Sequence, residues 1–348
     1  MEIKPDIRGL SIDDLKEVMV SSGSPSYRAD QVYEWLWKKA ARSFEEMTNL
    51  PKSARKWLKD NYILLPVTIA SNQISADGTI KLAFQLHDGH FVEGVLIPTA
   101  TRMTACVSSQ AGCSLSCTFC ATGYLEMKRN LSAAEIYDQI VLIRDLAQKT
   151  YDKPLTNIVY MGMGEPLLNY KNVLQSIELV TSKKGLDMSP KRTTVSTAGI
   201  SKMVRRLADD QVRFNLALSL HAADDEKRSK IMPINETNNL EELNKALDYF
   251  YSKTGNKVTL EYVMLGDFNS SIEDAKKLLK FARKVPCKIN LIEYNPVPVS
   301  GFYKCHEKRT EEFAERLERN GMNVNIRRSR GKDIQAACGQ LANSKQSC

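Results

Sequence analysis

Through residues 1–62 the apolar positions recur at helical spacing. Ser11 with Asp14 has the form of a helix start, and Leu15, Val18 and Met19 follow on one face. A second predicted helix carries Val32, Trp35 and Leu36. A third begins near Asn49-Leu50-Pro51 and carries Trp57 and Leu58. The period then shortens. The stretches 63–74, 80–86 and 91–97 are partly alternating apolar runs split by Asp77-Gly78 and Asp88-Gly89, which predicts short antiparallel strands joined by Asp-Gly turns. From 104 onward strand, loop and helix alternate, with candidate strands at 104–108, 157–161, 193–196, 214–220, 258–264 and 289–294. Ser132 and Glu135 form a capping-box signature ahead of Ile136, Ile140, Val141 and Ile143. Strands alternating with helices imply an α/β fold with a parallel sheet. Six such units are too few for a closed eight-fold barrel. The expected architecture is therefore a partial (β/α)6 barrel over 101–300, preceded by a small helical domain (1–62) and a short β extension (63–100). A C-terminal segment (301–348) follows, with a helix over 310–320, a basic run and Cys338.

Composition adds limits. The 348-residue chain is 43% hydrophobic and 26% charged, ordinary for a soluble globular protein. No apolar run approaches the length of about 18 residues that a membrane span needs. The N-terminus lacks the apolar core of a secretory signal, so a cytoplasmic protein is expected. The net charge of +8 favours polyanionic partners. Lys38, Lys39, Arg42, Lys52, Arg55, Lys56 and Lys59 could face RNA or form a solvated helical surface. In a cytosolic chain of this size, eight cysteines suggest metal or redox chemistry rather than a disulfide framework.

The most informative segment is Cys113-Ser-Leu-Ser-Cys117-Thr-Phe-Cys120, directly after the first strand of the α/β region. In parallel α/β folds, sites form where the strands' carboxyl ends bring loops together. Three thiolates in one short loop can ligate three irons of a cuboidal cluster and leave the fourth open, unlike the four-ligand ferredoxin sites. Structural zinc is the competing reading, although zinc sites use two Cys pairs some distance apart. The second strand ends in Met161-Gly-Met-Gly-Glu165-Pro166. Its glycines permit close backbone approach and its carboxylate could hold an ammonium group, or the segment is an ordinary tight turn. Ser196, Ser219-Leu220-His221 and Asn295 follow later strands. Each alone reads as a turn, cap or structural residue, but all fall at the sheet edge that carries the cysteine loop.

The Cys-x3-Cys-x2-Cys spacing with Phe119 before the last cysteine resembles the radical S-adenosylmethionine (SAM) superfamily. Cys106-Val-Ser-Ser-Gln-Ala-Gly-Cys113, Met161-Gly-Met-Gly-Glu-Pro166, Ser219-Leu-His221, Met232-Pro-Ile-Asn235 and Ala336-Ala-Cys338-Gly-Gln340 together resemble the RlmN/Cfr family of RNA adenine methyltransferases over nearly the whole chain. That resemblance implies one [4Fe–4S] cluster on Cys113, Cys117 and Cys120. It implies SAM contacts at Gly164, Glu165, Ser196, Ser219, Leu220, His221 and Asn295, and two SAM molecules per turnover. Cys338 would carry the methyl group. Glu93, which otherwise reads as a solvated strand residue, would be the carboxylate base. Cys106 would close a transient disulfide with Cys338. The implied partners are 23S rRNA, tRNA and a small electron donor such as flavodoxin, with the chain a monomer. Pro166 matches the RlmN branch, which methylates adenine carbon 2; the Cfr branch, methylating carbon 8, is the alternative. A zinc-stabilised RNA-binding protein without catalysis is a reading of another class. Methylthio-transferases carry a second clustered set of cysteines, which this chain lacks. Arg327, Arg328, Arg330 and Lys332, shortly before Cys338, are a predicted RNA contact. Cys287, Cys305 and Cys348 match no motif.

Overall fold

The computed structural model describes residues 4–342. Three helices open the chain: α1 (Ile12–Ser21), α2 (Arg28–Trp37) and α3 (Lys52–Asn61). Ser11 and Asp14 close a reciprocal capping box on α1. Leu15, Val18 and Met19 are buried, as are Val32 and Leu36 of α2, and the two helices pack together. The module is tied to the rest of the molecule by Arg8. This nearly inaccessible guanidinium pairs with Asp138 at 2.8 Å and Asp6 at 3.2 Å. Trp37 meets Tyr137 edge-to-face at 5.3 Å.

The strands β1 (Thr68–Ile74), β2 (Ile80–Gln85) and β3 (Phe91–Pro98) form the expected antiparallel meander. Gly78 and Gly89 both sit at φ +83°, a conformation that favours glycine over any residue with a Cβ. The first strand begins five residues later than the apolar pattern suggests, because Ile63 bridges to Asp6 instead and Pro66 follows with no N–H to donate. β3 pairs antiparallel with β4 (Met103–Cys106), so the meander and the α/β region share one sheet.

The remaining elements are, in order, β5 (Gln110–Ala111), β6 (Arg129–Asn130), α4 (Ala133–Tyr151), β7 (Asn157–Tyr160), α5 (Tyr170–Thr181), β8 (Thr193–Thr197) and α6 (Ser201–Asp209). They continue with β9 (Asn215–Ser219), α7 (Asp225–Ile231), α8 (Leu240–Thr254), β10 (Val258–Met264), α9 (Ile272–Ala282), β11 (Cys287–Glu293), α10 (Glu307–Arg319) and β12 (Val324–Arg327). The main sheet has ten strands in the order β1-β2-β3-β4-β7-β8-β9-β10-β11-β12, and β4 through β12 run parallel. All six candidate strands are present. β12 extends the parallel set into the segment that reads from sequence as a basic tail. Its alternation is short, and only pairing with β11 makes it a strand. Every residue of β10 is buried, so this strand is buried on both faces, as a central parallel strand should be.

Candidate functional site

A cavity of about 170 Å³ opens where the parallel strands end. Cys113, Cys117, Cys120, Gly164, Glu165, Ser196, Ser219, His221 and Cys338 all line it. The cysteine loop is built in by its main chain. Ser116 has φ +51° and Gly112 φ +87°. A Cβ on Gly123 would lie 2.4 Å from the Cys117 carbonyl oxygen. The Thr118 N–H donates to the Ile231 carbonyl at 3.0 Å, and Phe119 stands edge-on to His221 at 4.7 Å. Burial pushes the Cys113 thiol up to about 11 and raises Cys117 and Cys120 as well. Bare thiols here keep their protons until a metal replaces them. Among the described residues no three His, Cys, Asp or Glu side chains converge where a single ion would sit. A cuboidal cluster puts a different iron against each thiolate and needs no such convergence. Three thiols in one short loop suit a cluster with one open iron and leave structural zinc one ligand short of its usual four.

The glycines of the second strand end are there for close approach. A Cβ on Gly162 would lie 2.7 Å from the Val107 carbonyl oxygen, and one on Gly164 2.4 Å from Gln110 Cβ. Glu165 is 3% exposed. It accepts hydrogen bonds from Leu167 N at 3.0 Å and Ala198 N at 2.7 Å, and burial raises its pKa. The carboxylate thus caps a turn and also lines the cavity. The Ser196 and Ser219 hydroxyls are 3.3 Å apart. His221 has φ +58°, and its Nδ1 accepts from Val263 N at 3.1 Å. That bond leaves the proton on Nε2, and burial holds the ring neutral, with its pKa down at about 3.

Four sequence-predicted residues lie outside the cavity wall. Leu220 is fully buried, and its carbonyl accepts from Arg228 Nε. Asn295 Nδ2 donates to Ser329 Oγ at 2.9 Å and to the Cys338 carbonyl at 3.4 Å, so it braces the segment bearing Cys338. Cys106 is buried on β4. Burial and the neighbouring Cys338 push its thiol up to about 12, against the pull of Arg327. Glu93 is 2% exposed rather than solvated. It pairs with buried Lys81 at 3.1 Å and accepts from Ala342 N at 2.9 Å.

The basic run divides between the cavity and surface ion pairs. Arg327 lines the cavity and lies 3.8 Å from Glu261. Its cationic form is favoured first by Cys338, against the cost of burial. Arg328 pairs with Glu307 and Glu311 of α10, Arg330 with Asp77, and Lys332 with Glu293. Glu261, on β10, escaped the sequence reading. It is 3% exposed, and its Oε2 has no hydrogen-bond partner. The signal was there: a lone charged residue in an otherwise uncharged strand. Cys305 is buried and Cys287 half-buried; Cys348 lies outside the described residues.

Known proteins resemble the chain throughout. Residues 5–64 match the family model of the ribosomal RNA large subunit methyltransferase N-terminal domain, and residues 107–282 match that of the radical SAM superfamily. A probable dual-specificity RNA methyltransferase RlmN of Cytophaga hutchinsonii is 58% identical over 339 residues, covering 97% of this chain and 93% of that protein. Its namesake in Christiangramia forsetii is 54% identical over 340 residues, covering 98% and 97%. The crystal structure of a radical SAM methyltransferase from Sphaerobacter thermophilus superposes with a TM-score of 0.91 at 38% identity, over 97% of this chain and 99% of that one.

Proposed function

The chain belongs to the RlmN family of radical SAM RNA methyltransferases, and from that premise we propose that it methylates carbon 2 of an adenosine in 23S rRNA and in some tRNAs. The observation that carries this reading is the meeting of two unlike thiol sets at one cavity, the cysteine loop and Cys338, with Cys106 behind them. Cys113, Cys117 and Cys120 would hold the [4Fe–4S] cluster, and Glu165, Ser196, Ser219 and His221 would orient SAM. When bound, cluster and SAM supply a 5′-deoxyadenosyl radical that takes a hydrogen atom from a methyl group.

Aromatic carbon is a poor nucleophile toward SAM, whereas a thiolate is a good one. Cys338 accordingly takes the methyl group of a first SAM, and S-adenosylhomocysteine leaves. After hydrogen abstraction by way of a second SAM, the methylene on Cys338 adds to carbon 2, forming the carbon–carbon bond. To restore the aromatic ring the adduct gives its ring proton to Glu93 and returns one electron to the oxidised cluster that Cys113, Cys117 and Cys120 would hold. Ala342 N–H holds that carboxylate four residues beyond Cys338, so one short segment links base and methyl carrier. The Cys106 thiolate then attacks the Cys338 sulfur. The carbon–sulfur bond breaks, its electron pair takes up a proton to complete the new methyl group, and a disulfide remains. Two electrons from a reducing cytoplasm would reopen it. A small donor such as flavodoxin would supply the cluster, and the chain would act as a monomer. The target base must leave its stack to reach the cavity. Among the described residues no helix is long and apolar enough to cross a membrane.

Nucleoside mass spectrometry tests the reading on an rRNA fragment treated anaerobically with reconstituted enzyme, SAM and reductant. 2-Methyladenosine, lost in Cys338→Ala, is the expected product. 8-Methyladenosine would transfer the protein to the Cfr branch, and no methylated adenosine from a cluster-loaded enzyme would refute the substrate.

A further inference from the structure

Arg228, on α7, is 0% exposed, and none of the assignments above gives it a role. Its guanidinium donates to neutral oxygens: Nε to the Leu220 carbonyl at 3.1 Å, Nη1 to Asn235 Oδ1 at 2.8 Å, and Nη2 to the Ala198 carbonyl at 2.5 Å and the Ser219 carbonyl at 3.4 Å. Such bonds satisfy the N–H groups but leave the charge unneutralised, and a buried charge is costly unless something opposite balances it. Burial pulls the group down to about 10. Asp225, one turn earlier on the same helix, is exposed and accepts from Asn235 Nδ2 at 3.0 Å, whereas Ala198 and Ser219, whose carbonyls the guanidinium holds, line the cavity together with Cys117. α7 also abuts the cysteine loop directly. The Ile231 carbonyl takes the Thr118 N–H, and Ile231 and Met232 share a small apolar cluster with Cys117 and Phe119.

Three thiolates more than neutralise an oxidised cluster core, and reduction adds a further negative charge. A fixed cation behind the loop favours the reduced form. We propose that Arg228 is the buried counter-charge of the iron–sulfur site, a positioning residue that sets the cluster's reduction potential from behind Cys117, with Asn235 fixing its fork. This gives the Met232-Pro-Ile-Asn235 motif a purpose. Asn235 Oδ1 accepts from the guanidinium, while its Nδ2 donates to Ser229 Oγ at 2.9 Å and to Asp225 Oδ1 at 3.0 Å. Net charge near a cluster is among the recognised determinants of its potential.

The inference rests on the cysteine triad being the cluster's ligand set. The test is an EPR-monitored redox titration of reconstituted wild-type, Arg228→Lys, Arg228→Gln and Asn235→Asp proteins, with thermal unfolding of each. Arg228→Gln removes the charge. Asn235→Asp keeps the acceptor but cancels the charge, so it decides the matter should the Gln variant fail to fold. Both are expected to lower the ratio of reduced to oxidised cluster about tenfold at a fixed potential, a shift of about 59 mV for one electron. Arg228→Lys should stay within about twofold of wild type, the difference between keeping and losing the charge. Wild-type ratios in the Gln or Asp variant, accompanied only by a lower melting temperature, would make Arg228 a structural tie and overturn the proposal. A wild-type protein that takes up zinc instead of iron and sulfide would overturn the ligand assignment itself.

Discussion

The cysteine loop and the segment 329–342 bring thiols to the same cavity, yet they are held in opposite ways. The loop is fixed by main chain and by glycines with no room for a side chain. The C-terminal segment has two hydrogen bonds from the loop, Ala121 N to Gly339 O and Thr122 Oγ1 to Leu341 O, each 2.7 Å, and is otherwise strapped down by carboxylates. Asp77 accepts from Gly331 N at 3.0 Å, Asp333 from Ser75 Oγ at 2.5 Å and Ala76 N at 3.0 Å. Glu293 accepts from Ser329 N at 3.1 Å and pairs with Lys332, and Glu93 holds Ala342. Close packing allows a single geometry, whereas charged ties can part and re-form. The difference suits the two tasks assigned above. On the proposed mechanism a cluster would stay in one place, while Cys338 would meet SAM, the base and Cys106 in turn.

The largest effects should come from the thiols and separate the two regions. Cys117→Ala is expected to lose bound iron and sulfide and all methylation. Cys338→Ala should retain the cluster and reductive SAM cleavage while losing methylation. Equal loss of iron in both would erase the distinction. Next is the buried pair under the strap. Lys81→Met removes the buried ammonium that pairs with Glu93 at 3.1 Å, which should cost about 3–5 kcal/mol in denaturant unfolding. A cost below about 1 kcal/mol, typical of a surface pair, would mean that Lys81 does not anchor it.

Acid should act on the strap before it acts on the loop. Burial raises Asp77, but hydrogen bonds from Thr79, Gly331 and Ser75 outweigh it and hold the carboxyl at about 2. Glu293 is likewise held at about 2, with Lys304, Lys332 and Ser329 overcoming burial. Depressed carboxylates stabilise the fold above their ordinary pKa range, and the stabilisation is lost as pH falls through about 2. Hydrogen-exchange protection of 331–342 should therefore decline with acid across that window. Asp77→Asn should abolish its share of the decline while weakening the strap at neutral pH by about 1 kcal/mol. The smallest effect belongs to Arg328→Ala. Its surface pairs contribute at most about 1 kcal/mol to stability, so any loss of RNA affinity it causes should appear with the melting temperature unchanged.

The loop was legible in the sequence and the strap was not, for a physical reason. The triad, Gly164-Glu165 and Ser219-Leu220-His221 are short runs whose chemistry depends on near neighbours and on a strand ending beside them. The strap's ties join residues 254, 258 and 249 positions apart, and no local pattern announces them. The same holds for Glu93, whose alternating strand looks half-solvated until Lys81 and Ala342 close over it. Arg327 read as surface because its three basic neighbours are, and β12 turns it inward. The helical module and the Asp-Gly meander were readable because capping boxes and tight turns are local.

The central claim is that the methyl group passes through Cys338. Mass spectrometry of the peptide carrying Cys338, after anaerobic incubation with isotopically labelled SAM, tests it most directly. The account predicts one labelled methyl on Cys338 before RNA is added, and its appearance in adenosine afterwards with loss from the peptide. Labelled adenosine formed while Cys338 remains unmodified, or formed undiminished by Cys338→Ala, would contradict it.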